Sequence, residues 1–433
     1  MTLSELYKIF QQHPQVTTDS RNCPKGSIFF ALKGESFNGN LFAEKALASG
    51  CSYAIVDQED CIPAEDNRYI LTDDCLTTLQ QLANYHRRQL GTRIIGITGT
   101  NGKTTTKELM AAVLSQKFNV LYTEGNLNNH IGVPKTLLRL TRKHDMAVIE
   151  MGANHPGEIK MLAEMAEPDF GIITNVGKAH LEGFGSFEGV IRTKGELYDY
   201  LRSKPQSVAF IHHENSYLTT MANGLKTVYY GTSNDAGIAV SGHIASCSPL
   251  LCFNWHAANE DIQTVQTHLI GSYNLPNMLA AACIGHYFGV PTEFINRALT
   301  DYIPSNNRSQ LEQTPFNHLI VHTYNANPTS MRAALQNFLD MEVDNKMVIL
   351  GEMKELGDAS EEEHARVVQF LDEAHFDNVW LVGDAFLHID SPYRKFQTVE
   401  EVKEAIACKR PEGLYILIKG SNATKLFQLP PLL

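Results

Sequence analysis

Short apolar runs alternate with helical patterns along most of this 433-residue chain. In a parallel sheet with helices on both faces, each buried strand reads as such a run and each crossover as an amphipathic helix. The pattern therefore predicts two open α/β sheets. The predicted strands are "RIIGIT", "MAVIEM", "FGIITNV" and "SVAFI" in the first sheet, and "HLIVHTYNA", "KMVILG", "NVWLVG" and "YILIKGS" in the second.

Two other regions have patterns of their own. Residues 1–90 combine the runs "SIFFAL" and "YAIV" with a helical stretch, "CLTTLQQLANYHRRQL", which predicts a small α/β unit that begins with a surface helix. Between about 226 and 271 the runs "TVYYG", "LLCFNW" and "VQTHLIG" follow one another without long helices. This spacing predicts an antiparallel annex, followed by a helix over "LPNMLAAACIGHYFG".

A chain of this length exceeds what one hydrophobic core can organise. We therefore expect an α/β protein of three domains. The first, 1–90, is small; the second, 91–305, is a central domain with a mostly parallel sheet that carries a phosphate-binding loop; the third, 306–433, is a Rossmann-like α/β domain.

Composition narrows the function classes. The chain is 43% hydrophobic and 19% charged, and no apolar run approaches the roughly 18 residues that a membrane span needs. Its N-terminus does not resemble a signal peptide, and its eight cysteines have no zinc-binding spacing. The net charge of −12 argues against a nucleic-acid binder. We expect a cytoplasmic monomer that binds neither membrane nor nucleic acid.

The stretch "GITGTNGKTTTKE" carries the first chemical signal. It follows an apolar run and opens a helical pattern, but it departs from the Walker A spacing because residue 97 is Ile. In this context backbone N–H groups and a helix N-terminus can face an anion. Lys103 would add charge beside the β- and γ-phosphates, and Thr104 a hydroxyl for Mg²⁺. The alternative is a Gly/Thr turn that caps a helix.

Three further residues could complete such a site. Glu150 ends a predicted strand, the edge where open α/β sheets bind ligands, and its carboxylate suits Mg²⁺. His180 follows the next strand, although a lone histidine is more often structural. Lys194 lies in a helical pattern, where an exposed helix lysine is the alternative.

Asparagines are concentrated in "EGNLNNHIGVP" and "HTYNANPTS". Turn formation is the ordinary explanation. The alternative is a polar clamp for an amide- or phosphate-rich ligand.

The motifs together resemble those of the ATP-dependent Mur ligases of peptidoglycan synthesis. They are, in order, "GTNGKTTTKE", "GNLNNHIGVPKTLL", "EMGANHPGEI", "TNVGKAHLEGFGS", "TKGEL", "GSYNLPNMLAA", "YNANPTSM" and "GEMKELGDASEEEH". The stretch "TTDSRNCPKGSIFFALKGESFNGNLF" is similar to the family's UDP-binding domain, so the resemblance covers nearly the whole chain. "YNANP" and "GEMKELG" resemble the branch that adds D-alanyl-D-alanine.

The resemblance implies an acid–D-amino-acid ligase of cell-wall biogenesis, which serves cell shape and division. ATP would phosphorylate the terminal carboxylate of a UDP-N-acetylmuramoyl tripeptide, and the amine of D-alanyl-D-alanine would attack the acyl phosphate. UDP would bind to the first domain, ATP to the second and the dipeptide to the third. Two Mg²⁺ ions and a carbamylated Lys194 are implied as cofactors, since carbamylation turns an ammonium into an anion that can bind a metal.

The resemblance also implies roles for individual residues. Lys103, His180, Lys194 and Arg308 would be catalytic, and Thr104, Glu150, His180 and Lys194 would hold metal. The nucleotide would contact Gly99, Thr100, Asn101, Gly102, Lys103, Thr104, Thr105, Asn274, Asn277, Arg308 and Tyr324. The substrates would contact Ser20, Arg21, Asn126, Asn128, Asn129, Asn325 and Asn327.

The chain departs from the family pattern at three positions. Tyr273 stands where a histidine is usual, and His322 replaces an aspartate expected to touch the ATP ribose. Glu352 stands where aspartate is usual.

Other interpretations remain open from the sequence. One is another ligase of the superfamily, either the third-residue-adding Mur ligase or one like folylpolyglutamate synthase. A second is a nucleotide switch that does not ligate, and a third is a degenerate ligase.

Overall fold

The computed structural model describes residues 1–304 and 310–433. Within these residues the strands form sheets of four, nine and six strands and one two-stranded ribbon. The three larger sheets follow one another along the chain. This confirms the predicted α/β class with three units, while the boundaries at 90/91 and 305/306 stay predictions.

The N-terminal unit is a parallel sheet of order β1-β2-β5-β6 with helices packed on it. The predicted first helix is present, with Thr2 and Glu5 in a reciprocal capping box and Phe10 in the core. The elements are α1 Leu3–Gln12, β1 Val16–Thr17, β2 Ile28–Phe30, β3 Lys33–Gly34, β4 Phe37–Asn38, α2 Ala43–Ala48, β5 Tyr53–Val56, β6 Tyr69–Leu71 and α3 Cys75–Leu90.

The central unit is built on the nine-stranded sheet, of order β15-β14-β13-β12-β11-β10-β7-β9-β8. Strand β9 is buried along its whole length, because helices cover both faces of the sheet. The elements are β7 Arg93–Thr98, α4 Lys103–Leu114, β8 Val120–Tyr122, α5 Gly132–Leu137, β9 Met146–Glu150, α6 Glu158–Ala166, β10 Phe170–Ile173, α7 Leu181–Phe184, α8 Phe187–Arg202, β11 Val208–His212, α9 Ser216–Met221, β12 Thr227–Gly231, β13 Ile238–Cys247, β14 Leu250–Ala257, β15 Gln263–Ile270, α10 Leu275–Tyr287 and α11 Thr292–Asp301.

The predicted antiparallel annex needs correction at its first strand. β12 runs parallel to both β11 and β13, and only β14 is antiparallel to its neighbours, β13 and β15. They also extend the central sheet instead of forming a separate one. The hydrophobic period of a strand does not encode its direction, and the helix α9 that returns the chain before β12 was not predicted.

The C-terminal unit has the sheet order β16-β17-β21-β18-β19-β20, parallel except for β16, which pairs antiparallel with β17. All four strands predicted for this region are present. The elements are β16 Gln310–Gln313, β17 His318–His322, α12 Pro328–Asp340, β18 Lys346–Gly351, α13 Ser360–Glu373, β19 Asn378–Val382, α14 Asp384–Leu387, β20 Arg394–Phe396, α15 Val399–Cys408 and β21 Tyr415–Lys419.

The carboxyl ends of β7, β9, β17 and β21 open toward one cleft between the central and C-terminal units, where their following residues line a common cavity. No helix in 1–304 or 310–433 combines the length and the apolar character of a membrane span.

Candidate active site

The glycine loop joins the end of β7 to the start of α4, and two of its glycines are required by geometry. Gly99 has a φ of +141°, and a Cβ there would lie 2.0 Å from the hydroxyl oxygen of Thr174. Gly102 has a φ of +78°, and its Cβ would lie 2.8 Å from Oδ1 of Asn277. A side chain at either position would displace the loop, so the glycines permit the close backbone packing that a phosphate cradle needs.

Lys103 and Thr104, the two loop residues predicted to meet phosphate and Mg²⁺, begin helix α4. The Nζ of Lys103 donates to the carbonyls of Gly99 at 2.8 Å and Thr100 at 3.1 Å. Thr104, in the first turn of α4, donates its hydroxyl to Oε1 of Glu150 at 3.2 Å. The loop therefore brings a hydroxyl to the strand-end carboxylate and holds the Lys103 ammonium against its own carbonyls.

Glu150 is a buried carboxylate and not a solvated side chain at the end of its strand. Its side chain is 1% exposed, and Oε1 also accepts from Nδ2 of Asn128 at 2.9 Å. Its other oxygen, Oε2, lies 3.8 Å from the Nζ of Lys107, whose side chain is fully buried. Neither of these two atoms has a hydrogen-bond partner among the residues that the structure describes. The sequence interpretation missed Lys107. This lysine directly follows "KTTT" in the first turns of the predicted helix.

His180 and Lys194 both lie near Lys103 of the same loop. His180 precedes α7 in the left-handed region, with φ +50°, and burial foremost lowers its pKa. Lys194 is only 2% exposed, on the inner face of α8, so the exposed helix-lysine alternative is wrong. Burial first and the charge of Lys103 second lower the pKa of Lys194 to about 7. Three basic groups are thus close enough to interact.

A cavity of about 530 Å³ occupies the cleft. Most of the predicted site residues line it. They are Thr100, Asn101, Gly102, Lys103, Thr104, Thr105, Asn126, Asn128, Asn129, Glu150, His180, Asn274, Asn277, Tyr324 and Asn325.

Some predicted residues are not part of this lining. Gly99, Lys194 and Asn327 do not line the cavity, although Asn327 is hydrogen-bonded to Asn101, which does. Ser20 and Arg21 belong to the N-terminal unit, where Arg21 is exposed and pairs with Asp19. Arg308 lies outside the described residues.

The asparagines have three structural roles. Asn277 accepts from the hydroxyl of Thr106 at 3.0 Å and donates to Asn274 at 2.9 Å, so the pair braces the loop from below. Asn327 caps α12 and donates to Oδ1 of Asn101 at 2.8 Å, linking the loop to the C-terminal unit. Asn129 accepts from two backbone amides of its own turn, as the turn interpretation expects.

The two most prominent departures from the family pattern are in contact. The hydroxyl of Tyr273 lies 3.2 Å from Nε2 of His322, across the cleft between the central and C-terminal units. Burial, with a smaller contribution from Lys419, lowers the pKa of His322 to about 3. His322 is therefore neutral at physiological pH, and the two departures form one link.

The sequence interpretation also missed several residues that line the cavity. Among them are Asn175, Thr329, Ser330 and Lys419. Lys419 ends β21, so the strand-end rule that singled out Glu150 could also have found it.

The donor set fits Mg²⁺ bound with additional oxygen ligands. Thr104 and Glu150 offer hard oxygen atoms, and Oε2 of Glu150 is buried without a hydrogen-bond partner in the described part of the chain. Within that part, no three His, Cys, Asp or Glu residues form a metal-binding cluster. Such a site suits an ion held by one or two protein groups together with phosphate oxygens, which is the usual habit of Mg²⁺.

Three successive parts of the chain match domains of one known protein family. Residues 14–87 match the description "Mur ligase family, catalytic domain", residues 97–285 match "Mur ligase middle domain", and residues 307–422 match "Mur ligase, glutamate ligase domain". The chain is 36% identical over 447 residues to the UDP-N-acetylmuramoyl-tripeptide--D-alanyl-D-alanine ligase of Escherichia coli, covering 98% of this chain and 96% of that protein.

Solved structures of two bacterial proteins have the same fold as this chain. MurF from Acinetobacter baumannii has a TM-score of 0.87 and 32% identity, over 99% of this chain and 97% of that one. MurF ligase from Thermotoga maritima, in complex with ADP, has a TM-score of 0.85 and 25% identity, over 96% of both chains. The similarity in sequence and in fold thus extends over nearly the whole chain, and the chain belongs to the Mur ligase family.

Proposed function

We propose that this chain is an ATP-dependent ligase that joins D-alanyl-D-alanine to a UDP-N-acetylmuramoyl tripeptide, with release of ADP and phosphate. The observation that carries the proposal is the convergence of the glycine loop, Glu150 and His180 on one cleft between the central and C-terminal units, with Lys194 buried near Lys103 of the loop. The named relatives carry this activity in their names.

The loop residues would bind the ATP phosphates. Backbone N–H groups at the start of α4 face the cleft, and Lys103 would neutralise part of the charge on the γ-phosphate. A carboxylate is a poor electrophile, and its attack on a phosphate brings two anions together. Lys103 would lower that repulsion, so that phosphorylation converts the carboxylate into an acyl phosphate with a good leaving group. The ADP complex of the Thermotoga maritima protein supports nucleotide binding here.

Thr104 and Glu150 would hold one Mg²⁺, and His180 with a carbamylated Lys194 a second. When bound, the ions would screen the charge of the phosphates and of the carboxylate that attacks them. Carbamylation consumes a neutral amine and CO₂ and releases one proton, and the buried position of Lys194 favours the neutral amine. The chain's own residues would thereby supply an additional anion beside the loop.

The remaining groups would position the acyl donor and the amine. Asn126 and Asn128 lie beside Glu150, where the tripeptide carboxylate must arrive, and Ser20 and Arg21 would contact the UDP end in the N-terminal unit. The dipeptide would enter from the C-terminal unit. Links across the cleft, such as Asn101 to Asn327, would hold the units together and keep water from the acyl phosphate.

The same proposal includes a cytoplasmic setting, because ATP, the acyl donor and the dipeptide acceptor would all be soluble there, and a monomeric chain with one site. The test is phosphate release measured with ATP, the tripeptide and D-alanyl-D-alanine, each omitted in turn. Turnover must require all three. ATP hydrolysis at a rate that does not depend on the dipeptide would identify a nucleotide switch. Turnover only with folate and glutamate would identify a folylpolyglutamate-synthase-like enzyme.

Two variants test the residues. Lys103→Met should abolish acyl-phosphate formation. Lys194→Ala should lose turnover and regain part of it with added short carboxylates, which fill the place of the carbamate. Full turnover of either variant would contradict the role given to that residue.

A further inference from the structure

The two oxygen atoms of the Glu150 carboxylate have different surroundings. Oε1 accepts from the hydroxyl of Thr104 at 3.2 Å and from Nδ2 of Asn128 at 2.9 Å, and both of these residues line the cavity. Oε2 is buried and has no hydrogen-bond partner in the part of the chain that the structure describes. One oxygen of the carboxylate therefore lies among cavity-lining groups, and the other faces the protein interior.

Lys107 lies behind the carboxylate, next to the buried oxygen. Its Nζ is 3.8 Å from Oε2 of Glu150 and 3.6 Å from Oε1 of Glu108, and the ring of Tyr122 lies 5.7 Å from it. The side chain is fully buried and does not line the cavity, and Nζ has no hydrogen-bond partner among the described residues. The contact with Glu150 is thus a charge pair without a hydrogen bond.

This pair offsets the charge that a divalent ion would need. Proteins commonly hold Mg²⁺ through one or two carboxylates together with substrate phosphates. Glu150 supplies one negative charge beside Thr104, and the Lys107 ammonium lies 3.8 Å from it. An ion at Oε1 would be attracted by the carboxylate and repelled by the lysine behind it. The pair therefore attracts a lone cation weakly, and nucleotide phosphates at the loop would bring the missing negative charge.

We propose that Lys107 is a positioning residue that makes the Glu150 position hold a divalent ion only together with nucleotide phosphates. The inference rests on the proposed function, which assigns Thr104 and Glu150 to one Mg²⁺. The charge of Lys107 lowers the affinity of Glu150 for a lone ion. Its contact with Oε2 also keeps Oε1 beside Thr104, where the carboxylate offers the ion a single oxygen. The ion and the nucleotide then reach the loop as one complex.

Removing the charge of Lys107 should create metal binding that does not depend on nucleotide. Lys107→Met keeps most of the side-chain volume. Lys107→Gln is a second neutral variant, whose amide can donate to Oε2 of Glu150 and so keeps a polar contact in the interior. Partial unfolding cannot produce such a gain, because Thr104 and Glu150 belong to α4 and β9, which must pack together for their side chains to meet.

The experiment measures free Mn²⁺ by electron paramagnetic resonance during titration of the full chain, with and without a non-hydrolysable ATP analogue. Wild type should bind Mn²⁺ weakly without the analogue and much more tightly with it. Without the analogue, Lys107→Met and Lys107→Gln should bind Mn²⁺ about tenfold or more tighter than wild type. Mn²⁺ alone should also raise the melting temperature of both variants, as a ligand of the folded state does, and leave that of wild type unchanged.

Further variants locate the ion. Lys107→Met/Glu150→Gln should lose the gained binding, because Glu150 is the ligand. Lys107→Met/Glu108→Gln should keep it, although Glu108 lies 3.6 Å from the ammonium that is removed. Lys160→Met removes a lysine 3.9 Å from Glu164 in an exposed pair on α6, and this variant should bind Mn²⁺ as wild type does.

The outcomes separate the inference from the function. Wild-type Mn²⁺ affinity in both single variants of Lys107 overturns the role given to this residue. A gain that persists in Lys107→Met/Glu150→Gln, or an equal gain in Lys160→Met, overturns it as well. So does a wild-type chain that binds Mn²⁺ equally with and without the analogue. The proposed ligase function is decided independently by phosphate release from the wild-type chain with its three substrates.

Discussion

The buried lysine beside the strand-end carboxylate allows the sharpest test of how this site is held together. Lys107 is fully buried on α4, and its Nζ lies 3.8 Å from Oε2 of Glu150 and 3.6 Å from Oε1 of Glu108. The ring of Tyr122 lies 5.7 Å from the same Nζ. Replacing Lys107 by Met keeps most of the side-chain volume and removes the charge. Glu150 would then remain buried without its nearest cation.

The structure sets the size of the effect. At 3.8 Å and an effective dielectric constant of about 20, the attraction between the two charges is about 4 kcal/mol. Removing one partner of a buried pair typically destabilises a protein by about 3–5 kcal/mol, because the other charge stays desolvated. For a unit of this size that lowers the melting temperature on the order of 10 °C. Removing both charges, in Lys107→Met/Glu150→Gln, should recover at least about 2 kcal/mol of the loss.

The assay is thermal unfolding in buffer with a chelator, so that no divalent ion replaces the missing charge. Lys160→Met is the matched control, because its Nζ lies 3.9 Å from Glu164 in an exposed pair on α6. That pair should contribute less than about 1 kcal/mol. A Lys107→Met chain that melts within about 2 °C of the control, or a double variant no more stable than Lys107→Met, would refute the reasoning.

Three further predictions address the loop, the link across the cleft and the neutral histidine. Gly99→Ala, whose Cβ would lie 2.0 Å from the Thr174 hydroxyl, should weaken ADP binding about tenfold or more by calorimetry, and affinity within a factor of about two would contradict this. Asn327→Ala removes the cap of α12 and the bond to Asn101, so the free energy of unfolding in urea should fall by about 1–2 kcal/mol; an unchanged midpoint would argue against it. His322 has a pKa of about 3 in the folded chain, below its unfolded value, so the unfolded state takes up the proton first as pH falls. Wild type should lose about 2 kcal/mol between pH 7 and pH 5 that His322→Asn retains, and parallel pH profiles of melting temperature would count against the assignment.

Much of the site was predictable because phosphate chemistry uses local sequence. The glycines, Lys103 and Thr104 lie within six consecutive residues between a strand and a helix, so their order predicts their geometry. Glu150 was predictable from its place at a strand end, since such ends meet at one edge of the sheet.

Other parts of the site depend on contacts between distant segments. The pairing of Tyr273 with His322 joins residues 49 positions apart, and sequence alone showed them as two unrelated departures from a family pattern. In the sequence, Lys107 cannot be told apart from an exposed helix lysine. It is fully buried because α4 packs against β8 and β9. The direction of β12 likewise follows from a crossover helix that its own residues do not encode.

By itself, the sequence determined the α/β class, the three successive units and the short motifs, because hydrophobic period, turn residues and phosphate-loop spacing are local properties of the chain. Only the tertiary structure decided which side chains face one another across the cleft. Burial made a neutral amine favourable at Lys194 and left Lys107 opposite Glu150. The docking of the C-terminal unit brought Glu355 to His180. Desolvation and contact between distant segments arise only when the chain folds, and these two effects turn a set of motifs into a site.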